Sequence, residues 1–183
     1  MKNIFAIILF AMMSEANAQV IIGDAIGTAP IKTSVLLEFA ANQNKGIIVP
    51  YVRTLPAATS SNHGTILLDA STATAARMKY SNGSTWIDLS GQNANVTTVL
   101  SSQPLADSTR DLPNSKAVIG AASSEVDGVL VLESTTKAMV LPQVSDVQNV
   151  VDPSPGMMVF VNRAGAKRLA VFNGAKWSFW EGQ

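Results

Sequence analysis

One histidine, His63, stands in the turn-like stretch "SSNHG", and the chain has no cysteine. A transition metal needs several nitrogen or sulfur ligands, and a general base needs a positioned partner; this turn supplies neither. Serines are plentiful, but none stands in G-x-S-x-G or S-x-x-K with the groups that would activate it. Asp24, Asp127, Asp146 and Asp152 are scattered and lack calcium-loop spacing. Two acid–base pairs recur, Glu38 with Lys45 and Glu133 with Lys137, and read as solvated ion pairs of small energetic weight. The expectation is a protein without catalytic residues, metal site or cofactor, and not an enzyme.

The aromatic residues offer the one remaining binding chemistry. Tyr80 and Trp86 flank an Asn-Gly pair in "RMKYSNGSTW", and Phe172 and Trp177 flank another in "LAVFNGAKW". Tyr and Trp rings stack on sugar faces, so a carbohydrate-binding module with Tyr80, Trp86, Phe172 and Trp177 facing the ligand is one reading. The other is packing, because a small β-module with few rings needs them in its core. Asn-Gly between alternating runs predicts hairpins with positive-φ turns. In the second, a two-residue loop pairs Phe172 with Ala175 and Ala170 with Trp177, leaving Phe172, Ala170 and Trp177 on one face. In the first, Ser81 reads as an extra residue taken up by a glycine bulge at Gly83, which pairs Met78 with Trp86 and leaves Met78, Tyr80 and Trp86 on one face.

These hairpins end two copies of one unit. "NKGIIVPYV" answers "TKAMVLPQV", with Lys45 matching Lys137 and Pro50 matching Pro142; "GTILLD" answers "GMMVFVN"; Leu37-Glu38 answers Leu132-Glu133. The first copy spans 19–90 and the second 117–183, with a polar linker at 91–116 rich in Asn, Gln and Ser, in which Val96 to Leu100 is a candidate short strand. Short β-branched runs closed by Pro, Gly or Asn predict strands throughout, and only "SDVQNVVDP" suggests a helical turn, capped by Ser145. The fold class expected is all-β: two copies of a small strand-and-hairpin module joined by a polar linker, either as two small domains or as one elongated, oligomeric, fibre-like body.

Residues 1–18 have the make-up of a signal peptide. Lys2 precedes an apolar run from Ile4 to Met13, and Ala16-Asn17-Ala18 precedes a cleavage point before Gln19. The run is about half of the roughly twenty residues a spanning helix needs, so no membrane span is expected after cleavage. Basic and acidic residues balance at 13 each, and no basic run exists to follow phosphates, which argues against nucleic acid. Charged residues are only 14% of the chain, against about 25% in average domains, and such a surface favours self-association. Two sequons, at Asn82 and Asn95, match the N-glycosylation pattern by composition alone.

The order of blocks, "VIIG", "VLLEF", "NKGIIVPYV", "GTILLD", "MKYSNGSTW", then "AVIG", "VLVLESTTKAMVLPQV", "PSPGMMVFVN", "AVFNGAKW", resembles an exported protein family of Bacteroidota and is similar to phage tail-fibre and collar modules. The family's Lys-Gly-x-x-x-Pro stands here as Lys45-Gly46 to Pro50 and, with alanine for glycine, as Lys137-Ala138 to Pro142. Asp107-Ser108-Thr109 is similar to an O-glycosylation acceptor of the same group. The resemblance implies a secreted or cell-surface structural or adhesive protein, a fibre or filament subunit, that forms homo-oligomers, with a trimer foremost. Its further partners would be other surface proteins or polysaccharide.

Overall fold

The computed structural model describes residues 19–59, 62–103 and 115–180. The signal-peptide reading of residues 1–18 and the acceptor at Asp107 lie outside the described residues. Among the described residues the elements are fourteen strands, one five-residue α-helix and one 3-10 turn, so the fold is all-β. The first copy runs β1 (Val20–Ile22), β2 (Val35–Phe39), β3 (Ile47–Ile48), β4 (Tyr51–Val52), β5 (Ile66–Asp69), β6 (Arg77–Ser81) and β7 (Trp86–Asp88). After α1 (Thr97–Ser101) the second copy repeats the order: β8 (Ala117–Ile119), β9 (Leu130–Leu132), β10 (Ala138–Met139), β11 (Gln143–Val144), β12 (Met157–Val161), β13 (Arg168–Phe172) and β14 (Trp177–Trp180).

Each copy builds the same two sheets. β1 lies parallel to β2, and β8 parallel to β9. β4 to β7 form a four-stranded sheet in sequence order, and β11 to β14 repeat it, with a parallel first pair and two antiparallel hairpins. Pro50 and Pro142 stand just before β4 and β11, where the missing N–H removes no ladder bond while their carbonyls accept from Leu68 and Phe160 at 2.9 Å each.

The copies are not separate bodies. Leu68, Met78, Leu89, Ala94, Val96 and Leu100 form one core cluster together with Met158 and Val171 of the second copy. A second cluster gathers Val144, Val150, Val159, Val161 and Ala170, with Phe172 and Trp177 packed against it. Ala94, Val96 and Leu100 belong to the segment read as linker, so its first part is core. Val96 to Leu100 does not form the candidate strand; it starts and fills α1. The side-chain oxygen of Asn95 accepts from Thr97 N–H at 3.0 Å, which starts the turn, and Arg53 donates to the Leu100 carbonyl at its end.

Both hairpins differ from the expected register. Phe172 pairs with Trp177 and Ala170 with Phe179; in the first copy Ser81 pairs with Trp86 and Tyr80 with Ile87. Both loops therefore have four residues, Asn82 to Thr85 and Asn173 to Lys176, and Ser81 is the counterpart of Phe172 and no insertion. The reason is the asparagine side chain. Asn82 Oδ1 accepts from the N–H groups of Ser84 and Thr85, and Asn173 Oδ1 from those of Ala175 and Lys176, closing a wider turn than backbone φ preference alone would give. Gly83 and Gly174 follow with φ of 93° and 107°. Trp86 consequently shares a face with Ser81 and Lys79, opposite Met78 and Tyr80.

Two further expectations are corrected. The helical turn is a single 3-10 turn at Val147–Asn149, capped by Asp146, whose carboxylate accepts from Gln148 N–H; Ser145 bonds the Asn149 amide instead. Leu37-Glu38 also does not superpose on Leu132-Glu133: Val20 faces Leu37, and its counterpart Ala117 faces Leu130. The two-residue displacement keeps every side chain on its face, because strand periodicity is two.

Candidate assembly interface

The two copies exchange two-residue strands. β3 of the first lies antiparallel on β12 of the second, with Ile47 opposite Met158 and Ile48 opposite Met157, and Val49 N–H donates to the Gly156 carbonyl at 3.1 Å. In return β10 of the second lies parallel on β2 of the first, where Ala138 and Val140 N–H donate to the carbonyls of Ser34 and Leu37 at 2.8 Å each. β3 and β10 lie in the same block, Lys-(Gly/Ala)-x-x-x-Pro, displaced by one residue, so that Ile47 matches Met139. One copy thus gives a strand to its neighbour's hairpin sheet and receives one on its own parallel pair.

Gly46 and Ala138 follow from this difference. Neither adopts positive φ. A Cβ on Gly46 would stand 2.5 Å from Met157 Cγ, 2.7 Å from the Met158 carbonyl oxygen and 2.8 Å from Val159 Cγ1, so glycine lets β3 approach β12. Gly46→Ala should separate β3 from β12 at a cost of about 1–3 kcal/mol, the usual range for overpacking. Faster amide exchange at Met158, with little change at Leu67 and Leu68, is the expected result; unchanged exchange at Met158 would refute this account of the glycine.

Polar contacts join the copies as well. Tyr51 Oη donates to the Pro155 carbonyl at 2.6 Å, Ser178 Oγ to Ser90 at 2.6 Å, Trp180 Nε1 to Leu89 at 2.8 Å, and Asn173 Nδ2 to Gln92 at 2.7 Å. Asn173 is fully buried, so its amide is a lock between copies as much as a turn residue.

Below β10, Glu38 is fully buried on β2. It does not form a solvated pair with Lys45. Its carboxylate accepts from the Thr28 and Ala29 N–H groups at 2.9 Å each, from Lys32 Nζ and from the Gln19 amide. Burial opposes its ionisation, but the Ala29 N–H, the Lys32 ammonium and the Thr28 N–H together hold its carboxyl below the ordinary value of 4.5. Glu133 lies elsewhere in its copy and accepts from Ser124 Oγ. Ser134, three residues before Lys137, accepts from the Thr136 and Lys137 N–H groups and so serves a turn.

The aromatic candidates divide between two sheets. Phe172 and Trp177 are half-buried neighbours, ring centroids 5.3 Å apart, packed on the second cluster. Tyr80 packs against the first cluster, while Trp86, on the other face of its sheet, donates from Nε1 to the Pro56 carbonyl at 2.8 Å. The structure does not bring the four together. Sequence reasoning passed over Phe179 and Trp180, both on β14 and partly exposed; the Arg168 guanidinium stands 4.1 Å from the Phe179 ring. The available signal was the aromatic density of "WSFW", in which Phe179 falls two residues after Trp177 and so on the same strand face. Among the described residues no group of three or more His, Cys, Asp or Glu is placed to hold a metal ion, and no helix is long and apolar enough to cross a membrane.

No curated protein and no solved structure matches the chain. Residues 110–182, which hold every strand of the second copy, match the family described as a phage tail like trimerisation region. The matched unit is therefore one copy of the module, and the chain carries that unit beside a first copy with the same strand order.

Proposed function

We propose that the chain is a non-enzymatic structural subunit of an exported surface fibre, assembled as trimers through its β-modules, with adhesion to other surface proteins or polysaccharide as its task. The reciprocal exchange of β3 and β10 carries this reading. Strands given from one module to another join through main-chain hydrogen bonds, the same physics by which fibres grow, and the second copy is similar to a region named for trimerisation. Low charge on the chain favours the same outcome. Light scattering over a wide concentration range, with negative-stain images, should return masses in multiples of three chains and elongated particles. A stable monomer at every concentration would overturn the proposal.

Export is part of it. Gln19, the first described residue, bonds the buried Glu38, so a chain beginning there keeps β1 in place. The mature protein should begin at Gln19. Recovery of an intact mass that includes Met1 to Ala18 from the cell surface or the medium would refute this.

A further inference from the structure

The two hairpin loops carry the same Asn-Gly pair in unequal surroundings. Asn82 is exposed, whereas Asn173 is 0% exposed. An asparagine followed by glycine sets its side-chain amide carbon beside a main-chain nitrogen that no neighbouring Cβ shields. When that nitrogen attacks the carbon, a five-membered imide closes and ammonia leaves. The groups around each pair decide whether this happens in the folded chain. Three of them favour it at Asn82. Charge develops on Oδ1 as Gly83 N adds to Cγ, and Oδ1 already accepts from Ser84 N–H at 3.0 Å, from Ser84 Oγ at 3.0 Å and from Thr85 N–H at 2.8 Å. Donors set in advance on an atom that becomes an oxyanion lower the barrier. The Gly83 N–H, whose proton must be lost, donates to Ser81 Oγ at 3.2 Å, and that hydroxyl donates to Asn62 Oδ1 at 3.2 Å. The departing Nδ2 has no hydrogen-bond partner among the described residues, and the side chain is open to solvent.

Asn173 differs at each point. Ala175 stands where the first loop has Ser84 and brings no hydroxyl to Oδ1, which accepts from the Ala175 and Lys176 N–H groups. Phe172 stands where the first copy has Ser81 and brings none to the Gly174 N–H. Nδ2 donates to the Gln92 carbonyl at 2.7 Å inside the protein. Loss of that amide would set a carboxylate oxygen against the carbonyl with no donor between them, a buried mismatch that the fold opposes. The loop also has little room to turn, since a Cβ on Gly174 would stand 3.0 Å from Val96 Cγ1 and 3.0 Å from Pro155 Cγ.

We infer that Asn82 is a site of self-modification, where the folded chain converts its amide to a carboxylate through a cyclic imide with Gly83 N, and that Asn173 is its protected counterpart. The Gly83 N–Asn82 Cγ bond forms, the Cγ–Nδ2 bond breaks, and Nδ2 leaves as ammonia with the proton that Gly83 N gives up. One solvent water then opens the imide at either carbonyl, leaving aspartate or isoaspartate at position 82; nothing is oxidised or reduced. Aspartate keeps the oxygen that closes the loop and adds a negative charge to a chain balanced at 13 acidic and 13 basic residues. Isoaspartate lengthens the main chain by one methylene between β6 and β7. The exposed hairpin thereby records the age of the chain, while the Asn173 lock between the copies stays intact.

The second hairpin serves as an internal control. Full-length protein is held in mildly alkaline buffer, sampled over days and digested under acid conditions. The peptides holding Asn82 and Asn173 are followed by mass spectrometry, which reads the exchange of an amino for a hydroxyl group, and by chromatography that separates aspartate from isoaspartate. In the folded chain Asn82 should convert about tenfold or more faster than Asn173, and in denaturing urea, where only the shared Asn-Gly pair remains, the two rates should converge. Ser84→Ala should keep the native circular dichroism and slow conversion at Asn82 about threefold or more, since one donor on Oδ1 is gone. Equal rates in the folded chain, or faster conversion at Asn173, would overturn the inference. A ratio that persists in urea would overturn it too, because the difference would then lie in neighbouring sequence and not in the fold. An unchanged rate in Ser84→Ala would overturn the role given to the donors on Oδ1.

Discussion

Glu38→Ala is expected to cost about 3–5 kcal/mol and to free the N-terminal strand, because it removes one member of a buried charge pair. The carboxylate is the common acceptor for Gln19, Thr28, Ala29 and Lys32. Without it, the segment between β1 and β2 loses its anchor, two N–H groups lose their partner, and the Lys32 charge stands over a buried strand. Gly27 fixes the geometry from the other side, since a Cβ there would fall 2.2 Å from the Glu38 carboxyl carbon. Urea unfolding with equal m-values would measure the cost, and a loss below about 1 kcal/mol would refute the anchoring role. The same group sets a pH dependence. Its folded pKa lies below the ordinary 4.5, so its contribution is full above that value and is lost as pH falls through the folded pKa. Asp69 and Asp88 act in the same direction. Burial opposes the charge of each, while Lys79 and Ser71 on Asp69, and Ser90 and Arg77 on Asp88, hold the pKa down. Stability should fall below about pH 4.5, and less steeply in Glu38→Gln.

Leu37→Ala and Leu130→Ala should differ sharply in the dilute single chain. The two residues hold one strand position, opposite Val20 and Ala117 respectively. Leu37 is fully buried on β2, whose second edge β10 pairs, and its truncation should cost about 2–5 kcal/mol from lost burial and the cavity left behind. Leu130, half exposed, should cost less than about 0.5 kcal/mol. Melting curves at low concentration would show the contrast. Equal losses would mean that the two strand positions are not buried unequally in the single chain, and the assignment of Leu37 to a sealed interior would have to be redrawn.

Much of the β-structure was legible because strand formation is local. "SVLLEF", "GTILLD" and "GMMVFVN" hold β2, β5 and β12, and the repeat placed their counterparts. The exchange of β3 and β10 was hidden for a physical reason: a two-residue strand joined by backbone bonds carries no side-chain mark of which sheet it joins. Gly46 against Ala138 was the one trace, and it reads as a turn signal until the Met158 carbonyl is seen beside it. Glu38 was hidden by its type, since a glutamate between leucine and phenylalanine looks like an edge charge until its donors are located. The hairpin register does not follow from φ preference, because the side-chain oxygens of Asn82 and Asn173 each close a four-residue loop. Val96 and Leu100 looked like a strand or spacer, although their separation by four residues also suits one helical turn over a core.

The shared first core bears on how the chain comes to be folded at all. As the polypeptide emerges from its N-terminal end, residues 19–101 arrive complete in sequence yet short of Met158, Val171 and β10. They have no finished interior to collapse into until most of the remaining chain has followed. Contacts this distant along the chain slow folding, since the long loop must close before any of them forms. The first module is thus kept waiting on the second, and its apolar strands stay without their full cover until Met158, Val171 and β10 have been made.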